Sequence, residues 1–197
     1  MRVAAIVLSV ACASAGAVSS TRHSAQDAIV SRPISASTLM PDGRYWTTNN
    51  LNVATDRSYC YDDAESNCRR YGRLYTWEAA QRGCRLLGDG WRLPTNDEWQ
   101  QLAKHYGGVR DDSTDDGKAA YKALLFGGRS GLNAVLGGRR GRNGEYARIE
   151  AHGFYWTASA SDASNAWFYN LGTGLQMLNR HRDGDKQMAL SARCVRK

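Results

Sequence analysis

The chain has 197 residues, of which 42% are hydrophobic and 23% are charged, and its formal net charge at pH 7 is +7. This length fits one ordinary domain with short tails and can bury a core without a metal or dense disulfides. Three prolines and 10% aromatic residues argue against a Pro-rich linker protein and against disorder. The basic excess indicates only that an anionic surface would attract the chain.

The N-terminal segment has the pattern of a secretory signal peptide. Arg2 supplies a positive charge, residues 3–10 form a short apolar run, and small residues follow, with Ala15 or Ala17 as the cleavage position. The apolar run is too short to span a membrane as a helix. We therefore expect an exported protein that resides in the periplasm, on the cell surface or outside the cell. In an alternative that also involves export, Cys12 carries a lipid anchor.

The rest of the chain divides into two parts. Residues 18–40 are rich in Ser, Ala and Thr and show no hydrophobic period, which predicts a flexible leader. The division is thus a signal peptide over residues 1–17, the leader over residues 18–40, and a single domain over residues 41–197. No other apolar run in the sequence approaches the length of a transmembrane segment.

Export would place the cysteines in an oxidising compartment. Removal of the signal peptide, which contains Cys12, leaves Cys60, Cys68, Cys84 and Cys194, and these four allow three disulfide pairings. Cys60 and Cys68 flank a short polar segment that can close on itself. Cys84 and Cys194 would then tie an early helix to the last strand. Zinc would need closer cysteine pairs or a histidine at finger spacing, so we predict two disulfides and no metal.

Three helices are predicted after an opening strand over residues 44–48. The first spans residues 76–87, with Thr76 as its cap. The second spans residues 95–106, where Thr95 and Glu98 have the spacing of a capping box. The third spans residues 118–126 and ends at a pair of glycines.

Glycine-rich loops and short strands are predicted for the C-terminal part of the chain. The strands cover residues 153–159, 166–171, 175–180 and 189–195, and Asp183-Gly184 has the pattern of a hairpin turn between the last two. The predicted fold class is α+β, with two to three helices packed on short antiparallel strands and long Gly-rich loops.

Several blocks of the sequence resemble the Fibrobacter succinogenes major paralogous domain. They are Trp46-Thr47-Thr48-Asn49-Asn50-Leu51-Asn52, Tyr71 to Ala80, Gly90 to Trp99, Gly153 to Ser159 and Ala192 to Arg196. The resemblance covers about residues 40–197, in order. The Arg-Leu-Pro-Thr-x-x-Glu-Trp block within it is shared with the formylglycine-generating enzyme group. This implies a C-type-lectin-like fold, in which the first and last strands pair and a long bridge resembling Cys84–Cys194 staples them.

Catalysis does not follow from the fold. The related enzymes need a pair of reactive cysteines in the C-terminal half, whereas this chain has only Cys194 there, in a predicted bridge. The histidines are scattered, and only His152, beside a glycine loop, is a candidate base. We therefore expect no enzyme activity and no cofactor. The main interpretation is a non-catalytic binding module that recognises a surface ligand. The alternatives to it are a remote enzyme of the formylglycine-generating type and a basic structural protein of the cell envelope.

Two charged runs have a functional and a structural interpretation. The acidic run Asp111, Asp112, Asp115 and Asp116 could bind calcium through hard oxygen ligands, but it lacks the spacing of an EF-hand, and we favour a solvated loop. The basic run is predicted as surface residues in a glycine-supported loop, with contact to an anionic glycan or polymer as the alternative. It comprises Arg129, Arg139, Arg140, Arg142 and Arg148. Nucleic acid is disfavoured as a partner because an exported protein rarely meets it.

The resemblance implies that the C-terminal sheet and its loops form a recognition face. The predicted ligand-binding residues are Asn165, Trp167, Tyr169, Asn179, Arg180, Arg182 and Asp185. A sugar ring or planar group would stack on Trp or Tyr, beside hydrogen bonds from Arg and Asn. Because side chains alternate along a strand, about half of such a set must face the core. The expected partner is a surface glycan, an anionic polymer or a protein ligand.

Overall fold

A computed structural model describes Met1, residues 36–88 and residues 90–197 of the chain. The predicted signal peptide, the lipid-anchor position Cys12 and most of the predicted leader lie outside the described residues. The fold is α+β, as predicted, with four α-helices and ten strands in the described part. None of its helices has the length and apolar character needed to cross a membrane.

The helices and strands are numbered in chain order. The helices are α1 Glu65–Tyr71, α2 Trp77–Arg85, α3 Asn96–His105 and α4 Lys118–Leu124. The strands are β1 Ser37–Leu39, β2 Tyr45–Thr47, β3 Ser58–Tyr59, β4 Leu74–Tyr75, β5 Gly137–Arg140, β6 Tyr146–Ile149, β7 His152–Ala160, β8 Asn165–Gly172, β9 Met177–Asp185 and β10 Val195–Arg196. Single 3-10 turns occur at Tyr61–Asp63 and Arg110–Asp112.

The strands form three sheets, in the orders β1-β2-β10, β3-β4 and β6-β5-β7-β8-β9. All neighbouring strands are antiparallel except β5 and β7. The last strand pairs with β2 near the start of the fold, with Val195 opposite Trp46. Both predicted disulfides are present, with Cα–Cα distances of 4.9 Å for Cys60–Cys68 and 5.5 Å for Cys84–Cys194. The longer bridge ties α2 to the residue before β10.

The three predicted helices are confirmed. Thr95 forms a complete capping box with Glu98 at the start of α3, whereas Thr76 is the N-cap of α2 without a side-chain hydrogen bond, and α4 begins after Gly117. Helix α1 was not predicted, since its first three residues lie in the segment interpreted as a polar loop between Cys60 and Cys68. Its seven residues have no side-chain cap, and it packs through the buried Cys68 and Tyr71.

Three boundaries differ from the prediction. Strand β1 lies within the predicted leader, so the folded part begins no later than Ser37. This strand has no hydrophobic pattern in the sequence and is defined by its backbone pairing with β2. The predicted strand over residues 189–195 is reduced to β10 and isolated bridges. The predicted turn at Asp183-Gly184 lies inside β9 instead. A Cβ at Gly184 would lie 2.6 Å from the ring of Trp156 and 2.7 Å from that of Phe168, so glycine permits close packing there rather than a turn.

The main core lies between helices α3 and α4 and one face of the five-stranded sheet, called the inner face. Trp99 of α3 is fully buried and contacts three aromatic rings. Its ring centroid lies 5.0 Å from that of Trp46, 5.7 Å from that of Tyr155 and 5.2 Å from that of Tyr169. Edge-to-face and offset arrangements of this kind add to the free energy gained from burial of the rings.

A buried carboxylate fixes the start of α3. Glu98 accepts hydrogen bonds from Arg92 Nη1 at 2.8 Å and from the Thr95 backbone N–H at 2.8 Å, and Arg44 Nε lies 2.7 Å from Glu98 Oε1. Burial acts to raise the pKa of Glu98. The hydrogen bonds from Arg92 and Thr95, with the charges of Arg92 and Arg44, outweigh burial and lower the pKa below its ordinary value of 4.5.

Replacement of Glu98 should test this network. Glu98→Gln keeps the shape of the side chain but leaves two guanidinium groups without their carboxylate, so we expect a loss of about 2 kcal/mol in the free energy of unfolding at pH 7. Because the folded-state pKa is lowered, the contribution is complete above pH 4.5 and is lost as the pH falls through the folded-state value. Urea titrations from pH 3 to pH 7 should therefore show the two proteins converging at acid pH. A constant difference over this range would contradict the assignment.

The two disulfides should differ in their contribution to stability. They close segments with sequence separations of 8 and 110 residues. On the loop-entropy model the short bridge contributes about 2.5 kcal/mol and the long one about 5 kcal/mol. The Cys84→Ser/Cys194→Ser protein should thus unfold at lower denaturant than the Cys60→Ser/Cys68→Ser protein, and the reverse order would contradict this interpretation.

Candidate functional site

The seven predicted ligand-binding residues do not form one site. Tyr169 is fully buried on the inner face, where its ring stacks on Trp99, and its hydroxyl lies 3.2 Å from the backbone carbonyl oxygen of Asn96. The prediction that Tyr169 offers its ring for stacking on a ligand is therefore corrected, because Trp99 already packs against the face of this ring. The alternation of side chains along β8 places this residue in the core.

Trp167 and Arg180 lie together at the edge of the inner face. The Arg180 guanidinium carbon is 5.1 Å from the centroid of the Trp167 ring. Arg180 is directly opposite Tyr169 in the pairing of β8 with β9, so the two side chains share a face of the sheet. Both Trp167 and Arg180 are half-buried.

The other four predicted residues lie elsewhere along β8 and β9, with Asn165 directly opposite Asp185 in the sheet. Asn165 Nδ2 donates to Asp162 Oδ2 at 3.0 Å, and Asp185 Oδ2 lies 3.5 Å from Arg142 Nη1. The backbone carbonyl of Arg182 accepts a hydrogen bond from the Ser161 hydroxyl. Asn179 lies opposite Asn170 in the sheet, which places it on the face away from Tyr169.

This opposite face, called the outer face, carries a groove of about 390 Å³. We name it the outer-sheet groove. Its lining comes from all five strands of the sheet and comprises Arg139, Arg148, His152, Phe154, Phe168, Asn170, His181 and Asp183. None of these residues was among the predicted ligand-binding set, although His152 was considered as a base.

Four rings form the floor of the outer-sheet groove. His152 stacks on Phe154 with ring centroids 5.5 Å apart, and His181 stacks on Phe168 with centroids 4.8 Å apart. The two phenylalanine rings are tilted towards each other at 6.2 Å. Phe168 and His181 are cross-strand neighbours, whereas His152 and Phe154 lie on one strand, so the floor consists of two stacked ring pairs set at an angle to each other.

Polar groups border the rings. The Asn170 amide lies 3.1 Å from His152 Nδ1, and the Arg139 guanidinium carbon is 5.9 Å from the centroid of Phe154. Burial lowers the pKa of His181 below its ordinary value of 6.5, against the opposing effect of Asp183 and Asp111. His181 is therefore mainly neutral at pH 7, and Arg139, Arg148 and Asp183 bring charged side chains to the groove.

A wider cleft of about 610 Å³ shares the lining residue Arg139 with the groove. It lies beside the β5–β6 hairpin, and Arg142, Tyr146 and Asp185 also line it. The prediction that the basic run lies in a surface loop is corrected, since Arg139 and Arg140 belong to strand β5 of this hairpin. The guanidinium carbon of Arg140 lies 4.2 Å from the centroid of the Tyr59 ring.

The acidic run performs a local structural role. Asp115 accepts hydrogen bonds from the backbone N–H groups of Ala119 at 2.7 Å and Gly117 at 3.1 Å, at the start of α4. In residues 36–88 and 90–197, the one cluster with the geometry of a metal site comprises Cys60, Glu65 and Cys68. Its two cysteines form a disulfide and therefore offer no thiolate ligand.

The signal for the groove is present in the sequence as alternation. His152 and Phe154, Phe168 and Asn170, and His181 and Asp183 are each two positions apart, which places each pair on one face of its strand. The sequence could not indicate which part of the sheet remains open, because that depends on where α2, α3 and α4 pack.

Comparisons with known proteins identify one family. The model of the Fibrobacter succinogenes major domain matches residues 36–196. No curated protein and no solved structure matches the chain.

The environment of His181 gives a prediction for its titration. Because its folded-state pKa is lowered, the folded protein should lose stability as the pH falls below 6.5, where an unfolded chain takes up a proton more readily. An NMR titration of the imidazole C–H signals should place the His181 midpoint below that of the same residue in urea. A midpoint at or above the urea value would contradict the burial of this ring.

Proposed function

Since the chain belongs to the Fibrobacter succinogenes major domain family, we propose that it has a C-type-lectin-like fold and acts as an exported, non-catalytic binding module. Its ligand is a surface glycan, held in the outer-sheet groove. The observation that carries this proposal is the floor of four rings, bordered by the guanidinium groups of Arg139 and Arg148, on the outer face of the sheet.

Sugar recognition requires two kinds of contact that the groove offers together. The C–H face of a sugar ring packs on an aromatic ring, as Phe154 and the stacked His152 allow. Hydroxyl groups need donors and acceptors at the border, which Arg139 and Asp183 provide. The volume of about 390 Å³ suits a single sugar unit, and the adjoining cleft of about 610 Å³ gives room for a chain.

The disulfides support the exported and non-catalytic parts of the proposal. Two bridges are typical of proteins from oxidising compartments. Cys194 is bonded to Cys84, whereas the formylglycine-generating alternative would need it as a free thiol. A Cys194 that reacts with an alkylating reagent in the oxidised mature protein would favour that alternative.

The test is a glycan and polymer array with the oxidised mature protein, at low and at physiological salt. An Arg139→Gln/His152→Ala variant removes one donor and one stacking ring from the groove, so we expect about a tenfold loss of affinity for the selected glycan. A Trp167→Ala/Arg180→Ala variant changes the inner-face edge and should bind within about twofold of the parent. Circular dichroism and thermal unfolding of each variant check that the fold is retained.

Each opposite result has a distinct meaning. If only the Trp167→Ala/Arg180→Ala variant loses binding, the ligand lies at the inner-face edge and the groove assignment is wrong. If signals occur only on anionic probes and disappear with a few-fold rise in salt, the chain adheres by charge, as a basic envelope protein would.

A further inference from the structure

A second cavity lies on a different part of the molecule. It has a volume of about 330 Å³ and lies between the segment after β2, the last turn of α1 and the loop before β5. We name it the asparagine cavity after four of its lining residues, Asn49, Asn50, Asn52 and Asn133. It shares no lining residue with the outer-sheet groove, so the inference below goes beyond the proposed function.

A buried cation lines this cavity. Arg193 is fully buried, and its guanidinium donates to the backbone carbonyls of Thr47 at 2.9 Å, Leu132 at 2.8 Å and Asn133 at 2.7 Å. These acceptors are neutral, and Arg193 forms no ion pair within the described part of the chain. Its Nε has no hydrogen-bond partner. A buried charge without a counterion is costly, so an anion nearby would be stabilised.

The neighbouring Asn50 has a second unsatisfied group. Its Nδ2 donates to the Tyr71 carbonyl at 2.8 Å, whereas its Oδ1 is buried without a partner. Buried polar groups in folded proteins nearly always have a partner, so these two atoms are exceptions. Arg193 and Asn50, which line the same cavity, thus each carry a buried polar atom without a hydrogen-bond partner in the described part of the chain.

The rest of the lining has one sign of charge. Arg69 and Arg70 lie in the last turn of α1 and line the cavity, and no Asp or Glu does. Arg70 is paired with Glu150 at 3.0 Å, whereas Arg69 is exposed at the opening. Phe126, 73% exposed, forms part of the rim and presents an aromatic surface there.

We infer that the asparagine cavity binds a sugar acid, such as a hexuronate. The carboxylate group would be attracted by Arg193 and Arg69, since guanidinium groups are the preferred partners of carboxylates in proteins. The asparagine amides at the opening would bind the hydroxyl groups, and Phe126 would pack against the ring. The cavity volume of about 330 Å³ accommodates one such unit.

The test uses isothermal titration of the oxidised mature protein with glucuronate and galacturonate at constant ionic strength. Glucose provides the neutral comparison, and sulfate and phosphate provide the inorganic anions. We expect heat of binding with at least one uronate, and affinity for it at least tenfold higher than for glucose, sulfate or phosphate. Affinity for glucose or for an inorganic anion equal to that for the uronate would overturn the inference, as would no binding of either uronate.

Exposed residues allow the site to be changed without disturbing the core. Arg69→Gln and Asn52→Ala should each weaken uronate binding, by about tenfold for the arginine because a charge-assisted hydrogen bond is lost. Arg85→Gln, on the exposed side of α2, removes a similar cation elsewhere and should bind as the parent does. Equal weakening by Arg85→Gln would show an effect of overall charge and overturn the site.

The groove variant separates this inference from the proposed function. Arg139→Gln/His152→Ala should leave uronate binding in the asparagine cavity unchanged while it weakens glycan binding in the groove. If the same variant abolishes uronate binding, the acid lies in the groove and the cavity assignment is wrong.

Discussion

The fold depends on the return of the last residues of the chain to its beginning. Cys194 is bonded to α2, and Val195 lies opposite Trp46 in β2 while it exchanges backbone hydrogen bonds with Arg92. Arg193 donates to carbonyls of three residues from two separate segments. Since β2 and β10 contain only three and two residues, their pairing alone would be weak, and the covalent bridge and the guanidinium hold the closure in place.

The closure determines which part of the five-stranded sheet is left uncovered. Helix α3 is held against the inner face by Trp99 and by the network of Glu98 with Arg92 and Arg44. Helix α2 packs on the opposite face around Trp156, and the part of that face around His152, Phe154 and His181 forms the outer-sheet groove. The strands of the proposed binding surface are the same ones that support the core on their other side.

Arg193 contributes to the stability of the fold and also lines the second proposed site. Its buried charge is tolerated through hydrogen bonds to neutral carbonyls, which satisfy the guanidinium N–H groups but do not neutralise it. The Arg193 guanidinium thus links the C-terminal residues to the loop before β5, and it also places a positive charge beside the asparagine cavity. The cavity and the groove are built from different segments, so each can be altered without change to the other.

The sequence alone determined the features that depend on local interactions. The capping box at Thr95, the three predicted helices, the α+β class and the family follow from short segments, and the four cysteines left only three pairings. Tertiary structure decided strand β1, the β5–β6 hairpin, the role of Gly184 and the open face of the sheet. These features depend on residues that are far apart in the chain. The alternation of side chains along a strand shows which of them share a face, but it does not show which face packs on a helix. For that reason Tyr169 was predicted as a binding residue, whereas it belongs to the core.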